Sequence, residues 1–296
     1  PLPSGNEGNA TAGGSAGVVG RLVATEMSKT LSHNVVLELR PGAGGNIGAE
    51  VVAKTARSHG YTILLASLSL SSNVSLMKLN FDPRKDLVAV AGIATFPNLM
   101  VTAADGPYRS LKEAIAAARQ KPGELTFGSS GPGTSSHLTG ELLKAAAGID
   151  MTHVPYKGSG AVYPDLMSGR VTFLFDLAGS ATGFIQGGKV RALATTSSRR
   201  SAALPDVPTI AESGFPGFEF GAYLALFAPA ATPKEAIATL EDAVAKAIQV
   251  PMVKERLATM AAEPVPVPSA AFQKYFNDDV ERFARLVREG KLKPLN

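Results

Sequence analysis

Residues 128–138 read GSSGPGTSSHL, between an apolar run at Leu125–Phe127 and a segment with helical spacing. A glycine-rich turn that opens a helix exposes backbone N–H groups and the positive end of the helix dipole, and glycine lets an anion approach them closely. Thr134, Ser135 and Ser136 add hydroxyls, so the stretch suits a carboxylate or a phosphate. The same hydroxyls would also serve as ordinary helix caps. Against the phosphate-loop pattern G-x-x-x-x-G-K-[ST], Gly128, Gly133 and Ser135 align, but Thr134 stands where the lysine belongs. Nucleoside triphosphate chemistry is disfavoured, and anion capture without a lysine survives.

Two further glycine clusters are weaker. PGAGGNIG (Pro41–Gly48) starts like a dinucleotide fingerprint at Gly42 and Gly44, yet Ile47 takes the third glycine position and no acidic residue ends the following strand. A tight turn that positions a helix is the expected role. Gly13-Gly14-Ser15-Ala16-Gly17 matches the G-x-S-x-G nucleophile elbow, with His137 and His153 later in the chain, so serine hydrolysis through Ser15 is the enzymatic alternative. The elbow needs a buried strand before it, and PLPSGNEGNATA is nearly devoid of apolar residues.

Other titratable candidates are few. His33, His59, His137 and His153 show no metal-binding spacing, so no metal is expected. His137 lines a cleft or is a bonded structural histidine; Asp176 follows the run VTFLF as a cleft residue or a helix cap; Lys157 pairs with an anion or is a solvated charge. No acid and base form an obvious pair. The chain has no Cys, which excludes thiol catalysis, disulfides and thiolate metal sites. Its formal charge of +4 is too small and dispersed for a nucleic-acid partner.

The elements that must position these residues alternate. With 296 residues, 45% hydrophobic and 18% charged, the chain is about two domains long. Val18, Val19, Leu22, Val23, Met27 and Leu31 lie on one face of a helix beginning near Gly14. Strands are predicted at 35–39, 61–66, 125–127, 151–154, 171–175 and 190–195, and helices at 47–56, 111–119, 135–147, 160–167 and 180–186. This is an α/β pattern. Beyond about Tyr223 two long charged helices follow, at 233–250 and 271–289, with Pro251 and the PVPVP stretch as breakers. Composition shifts near Pro97-Asn98 and Pro216-Gly217 suggest where the chain crosses between lobes. No run of 18 apolar residues exists to span a bilayer, and the first residues lack a signal-peptide pattern; if the protein is exported, this is the mature form.

Four stretches together resemble one family: AGGSAGVVGRLVA (12–24), RPGAGGNIGAEVVAKTARSHGYTILLAS (40–67), GSSGPGTSSHLTGELLKAAAGIDMTHVPYKGSGAVYPDLMSGRV (128–171) and RALATTSSRRSAALPDVPTIAESGFPGFE (191–219). They look like the Bordetella uptake gene (Bug) proteins, the TctC-like periplasmic receptors of tripartite tricarboxylate transporters. The resemblance implies a two-lobe type II periplasmic binding fold, each lobe a mostly parallel sheet flanked by helices. One lobe would be 1–101 plus 223–296 and the other 102–222, with the ligand cleft between them. It implies a monomeric, non-enzymatic periplasmic receptor without cofactor. Such a receptor takes a di- or tricarboxylate, an acidic amino acid or an aromatic carboxylate, and its partners are the membrane subunits of the transporter or, alternatively, a sensor kinase.

By matched position, the first lobe would touch the ligand through Ala12, Gly13, Gly14 and Ser15 and through Ser67–Ser69. The second would use Ser130, Gly133, Thr134 and Ser135, with Asp176 and Leu177 nearby. The chain departs from the family in two places. Gly17 stands where an Asp is usual, and the polar residues 1–10 predict that the opening apolar strand is lost or altered.

Overall fold

A computed structural model describes residues 2–4, 15–40, 45–55, 59–264 and 268–295. The chain divides into two compact units, one of Pro1–Thr95, Tyr223–Ala258 and Glu263–Asn296, the other of Phe96–Ala222 and Thr259–Ala262.

The first unit opens with β1 (Leu2–Ser4), α1 (Ser15–Leu31), β2 (Leu37–Leu39), α2 (Asn46–Thr55), β3 (Leu64–Ser67), α3 (Ser69–Leu76) and α4 (Pro83–Asp86). An opening strand is therefore present: Leu2–Ser4 pairs in parallel with Leu37–Leu39. Backbone pairing needs only three residues here, which the polar composition of 1–10 concealed. Strand β4 (Leu87–Ala103) begins in this unit and continues in the next. It carries Pro97 and Asn98, which read as a boundary in the sequence, inside one 17-residue strand.

The second unit then adds α5 (Leu111–Gln120), β5 (Thr126–Ser129), α6 (Ser135–Ala147) and β6 (Thr152–Pro155). A 3-10 turn at Ser159–Ala161 leads to α7 (Tyr163–Met167), β7 (Phe173–Leu177), α8 (Ala178–Gln186) and β8 (Val190–Thr195). The chain returns to the first unit through β9 (Gly221–Pro229), followed by α9 (Lys234–Gln249), α10 (Pro251–Thr259), β10 (Glu263–Pro264) and α11 (Ser269–Arg288). Pro251, expected only as a breaker, is the first residue of α10, where its missing N–H would have had no acceptor.

Strand pairing is mixed where a mostly parallel sheet was expected. In the second unit β5 pairs in parallel with β6 and β7, as successive strand–helix crossovers require. Strand β4 enters without a crossover helix and pairs antiparallel with β7 and β8. In the first unit β3 pairs antiparallel with β9. Both faces of the second unit's sheet are covered: Phe127, Phe173, Phe175 and Met100 pack on one side, and Leu99, Val101 and Leu174 on the other. Residues alternate between faces along a strand, so unbroken apolar runs are what a doubly covered sheet demands. The first unit buries Phe272, Phe276, Val280 and Phe283 of α11 at spacings of three and four, with Phe276 edge-on to Phe227 of β9 at 5.1 Å.

Candidate functional site

In the second unit, β5 and β7 end side by side in parallel, and α6 and α8 start just beyond those ends. The crevice outside the carboxyl ends of strands is where α/β sheets bind ligands, because helix starts and loops converge there. Loop 130–134 connects β5 to α6. Its glycines Gly131 (φ 134°) and Gly133 (φ 77°) adopt backbone angles that an L side chain rarely allows.

The hydroxyls of this loop are turned on the loop itself. Thr134 Oγ1 donates to Gly131 O at 2.7 Å, and it accepts from Ser130 Oγ at 3.1 Å and from His137 N at 3.4 Å. It is the side-chain cap of α6. Ser136 Oγ donates to the carbonyl of Phe175 on β7 and accepts from Ser130 N at 3.4 Å. Ser129 Oγ accepts from Gly131 N at 3.1 Å and lies 2.6 Å from His153 Nε2. Each hydroxyl has one proton, so those of Ser130, Thr134 and Ser136 go to holding the loop. With those hydroxyls spent and His137 N capped by Thr134, the loop sits at the positive end of a 13-residue helix. Ser135, the first residue of α6, is buried.

The histidines support the loop from behind. His137 Nδ1 accepts from Gly133 N at 3.2 Å, and its ring stacks on His153 with centroids 4.2 Å apart. His153 in turn stacks on Phe127 at 4.9 Å. Burial, and then the proximity of His153 and Lys144, lower the His137 pKa to about 3; burial and Lys144 lower that of His153 to about 4. Both rings are neutral at pH 7, and only a neutral His137 can accept from Gly133.

Asp176 lies within β7, buried, where Oδ2 accepts from Tyr163 OH at 2.9 Å and Oδ1 from Leu177 N at 2.9 Å. Lys157 is exposed. In the first unit, Ser67 ends β3 and Ser69 begins α3, and both are buried. Residue Leu68 occupies the cap position of α3 without a side-chain cap bond; Ser69 N donates to Ser67 Oγ at 3.4 Å, while Ser69 Oγ has no partner. Ala12, Gly13 and Gly14 lie outside the described residues, and Ser15 is the first residue of α1. Residues 5–14 separate β1 from Ser15, whereas a nucleophile elbow joins strand to helix at the serine itself. Among the described residues no group of three or more His, Asp or Glu could hold a metal ion.

Two polar groups escaped the sequence reading. Asn98 of β4 is fully buried, and its Oδ1 has no hydrogen-bond partner, which ordinarily costs about 1–3 kcal/mol. Its signal in the sequence is a lone amide inside the apolar run 87–103. The other is Asp279 of α11, whose carboxylate accepts from Ser71 Oγ, which also accepts from Tyr223 OH at 3.2 Å. Burial raises the Asp279 pKa to about 6, against the opposing effects of Ser71 and Arg282.

Two α/β units joined through long strands, with glycine- and serine-rich helix starts at strand ends, make a periplasmic binding protein fold. The model for the tripartite tricarboxylate transporter family receptor, TctC, matches residues 19–292, and the chain belongs to this family. It is similar to the periplasmic binding protein BugD, with 31% identity over 99% of this chain and 98% of that one and a TM-score of 0.89. It is also similar to R. palustris Rpa4515, solved with adipate, at 31% identity over 99% and 98% of the two chains and a TM-score of 0.91. A third likeness is to MatC (Rpa3494) from Rhodopseudomonas palustris with bound malate, at 31% identity over 93% and 95% and a TM-score of 0.83. These relationships are to receptors and lend no support to the serine-hydrolase alternative.

Proposed function

We propose that the chain is a periplasmic receptor without catalytic activity that captures a small organic carboxylate and delivers it to the membrane subunits of a tripartite tricarboxylate transporter. The observation that carries this reading is the start of α6, where the protons of Ser130, Thr134 and Ser136 are spent within the loop and at Phe175. A loop braced in this way offers an anion a fixed helix start at low reorganisation cost, without a buried counter-charge that would need its own partner when the site is empty. Bound adipate and malate in the relatives support a carboxylate as the ligand class. In this reading Gly133 and Ser135 sit against the carboxylate, with Ser130 and Thr134 shaping the loop. Asp176 orients Tyr163 and the Leu177 amide at the neighbouring strand end.

Thermal-shift screening over mono-, di- and tricarboxylates and acidic amino acids tests the reading. A ligand that binds only the native state at 100 times its Kd stabilises it by about 2.7 kcal/mol. At least one carboxylate should therefore raise the melting temperature saturably, while the corresponding amides should not. A panel in which no carboxylate shifts the transition would overturn the reading.

A further inference from the structure

Asn98 lies on β4 opposite Leu177 of β7, at the strand end from which α8 departs. Its backbone is fixed on both sides by Thr196: Asn98 N donates to Thr196 Oγ1 at 2.8 Å, and Thr196 N donates to Asn98 O at 2.9 Å. The side-chain amide reaches α6, where Nδ2 donates to Thr139 Oγ1 at 3.0 Å. Thr139 in turn donates its single proton to Ser135 O at 2.8 Å. Toward Asn98 it can therefore only accept, and the carboxamide cannot be flipped: a reversed amide would set two proton-less oxygens against each other. The buried Oδ1 is thus held in a determined orientation by Thr139, whose hydroxyl ties it to Ser135 at the start of α6, as an acceptor with no donor.

Native interiors rarely leave such an acceptor unmatched, and each exception calls for a group that completes the bonding. The group missing here is a hydrogen-bond donor. A carboxylate has none, so the loop's anion site cannot satisfy Asn98 through the charged group itself. We infer that Asn98 Oδ1 reads a hydroxyl or ammonium carried beside the ligand's carboxylate, so that the receptor prefers 2-hydroxy- or 2-aminocarboxylates to their unsubstituted counterparts. The inference rests on the carboxylate-receptor reading and adds the selecting residue to it. Thr139 is a positioning residue, acting only through the amide it holds.

Calorimetry with matched pairs that differ by one donor tests this: succinate against malate and aspartate, propionate against lactate, and phenylacetate against mandelate. In whichever pair binds, the wild type should favour the donor-bearing member at least tenfold. Asn98→Leu, which replaces the amide by an apolar group of similar size, should bring the ratio within about twofold while leaving the unsubstituted member within threefold of its wild-type affinity. Thr139→Val, which keeps Oδ1 but frees the amide to turn, should give an intermediate ratio, and it supplies the test if Asn98→Leu does not fold. Equal affinity within every pair for the wild type, or a ratio unchanged in both variants, would overturn the inference and leave carboxylate binding standing. If no member of any pair binds, the carboxylate reading falls together with it.

Discussion

The helix starts at Ser69 and Ser135 use the same residue types to opposite ends. In the second unit, the cap Thr134 and its neighbours Ser130 and Ser136 donate to one another, to Gly131 and to Phe175, so these side chains are structural. In the first unit, α3 begins after Leu68, which makes no side-chain cap bond, and the buried Ser69 hydroxyl has no partner. One start has a side-chain cap braced by its neighbours; the other has no side-chain cap. A helix start braced before binding suits the fixed geometry of a carboxylate.

The units also differ in how they carry buried titratable groups. The His137–His153 stack is destabilised when protonated, and Asp279 is destabilised when ionised. Acid therefore works against the second unit, and neutral pH against the first.

The largest separation between the two starts should come from Gly133→Val. This substitution forces a β-branched residue into φ 77° and displaces the amides. Carboxylate affinity should fall at least tenfold by calorimetry, with a lowered melting temperature. An unchanged affinity would mean that the loop's shape does not matter to binding.

Next in size is the pH dependence. For both histidines the folded pKa lies below the ordinary 6.5, so the unfolded chain binds more protons. Stability should be complete above about pH 6.5 and fall as pH drops toward 4, and His153→Gln should flatten this limb in urea melts. For Asp279 the sign reverses: the folded pKa is about 6 against 3.8, so its favourable contribution is present below about pH 4 and is lost as pH rises through 6. Asp279→Asn keeps the acceptor for Ser71 and removes the charge. It should stabilise the protein at pH 8 by roughly 1–2 kcal/mol and do nothing favourable at pH 4. Equal effects at both pH values would contradict the buried-charge account.

The smallest expected effect separates the starts most cleanly. Thr134→Ala removes a cap and should cost about 1 kcal/mol of stability, whereas Ser69→Ala removes an unpartnered hydroxyl and should change stability by less than about 0.5 kcal/mol. Comparable stability losses in the two variants would erase the distinction between them.

Much of this was legible in the residues. Helix α6 and strand β8 occupy the spans that periodicity and capping signals predict, and Gly131 and Gly133 stand where the turn needs positive φ. Strand β4 was hidden because Pro97 and Asn98 read locally as a break, and only pairing with β7 and β8 makes them part of a strand. Helix α3 was missed because four of its six buried residues are serine or asparagine and its buried Leu70 and Leu76 are too far apart to form an apolar stripe. The loop's capacity for anions followed from composition; which hydroxyls were already spent did not. Spending them depends on Gly131 O, Phe175 O and His153, partners that the fold brings together from 39 positions away or fewer.

The central claim is that α6 and its loop hold the ligand's carboxylate. Isothermal titration calorimetry of Thr134→Ala/Ser135→Ala tests it most directly, with the carboxylate found by thermal shift and against wild type, after circular dichroism has established that the double variant is folded. The account predicts at least a several-fold weaker Kd. An affinity equal to that of wild type would contradict the claim that the capped start of α6 sets the carboxylate's affinity.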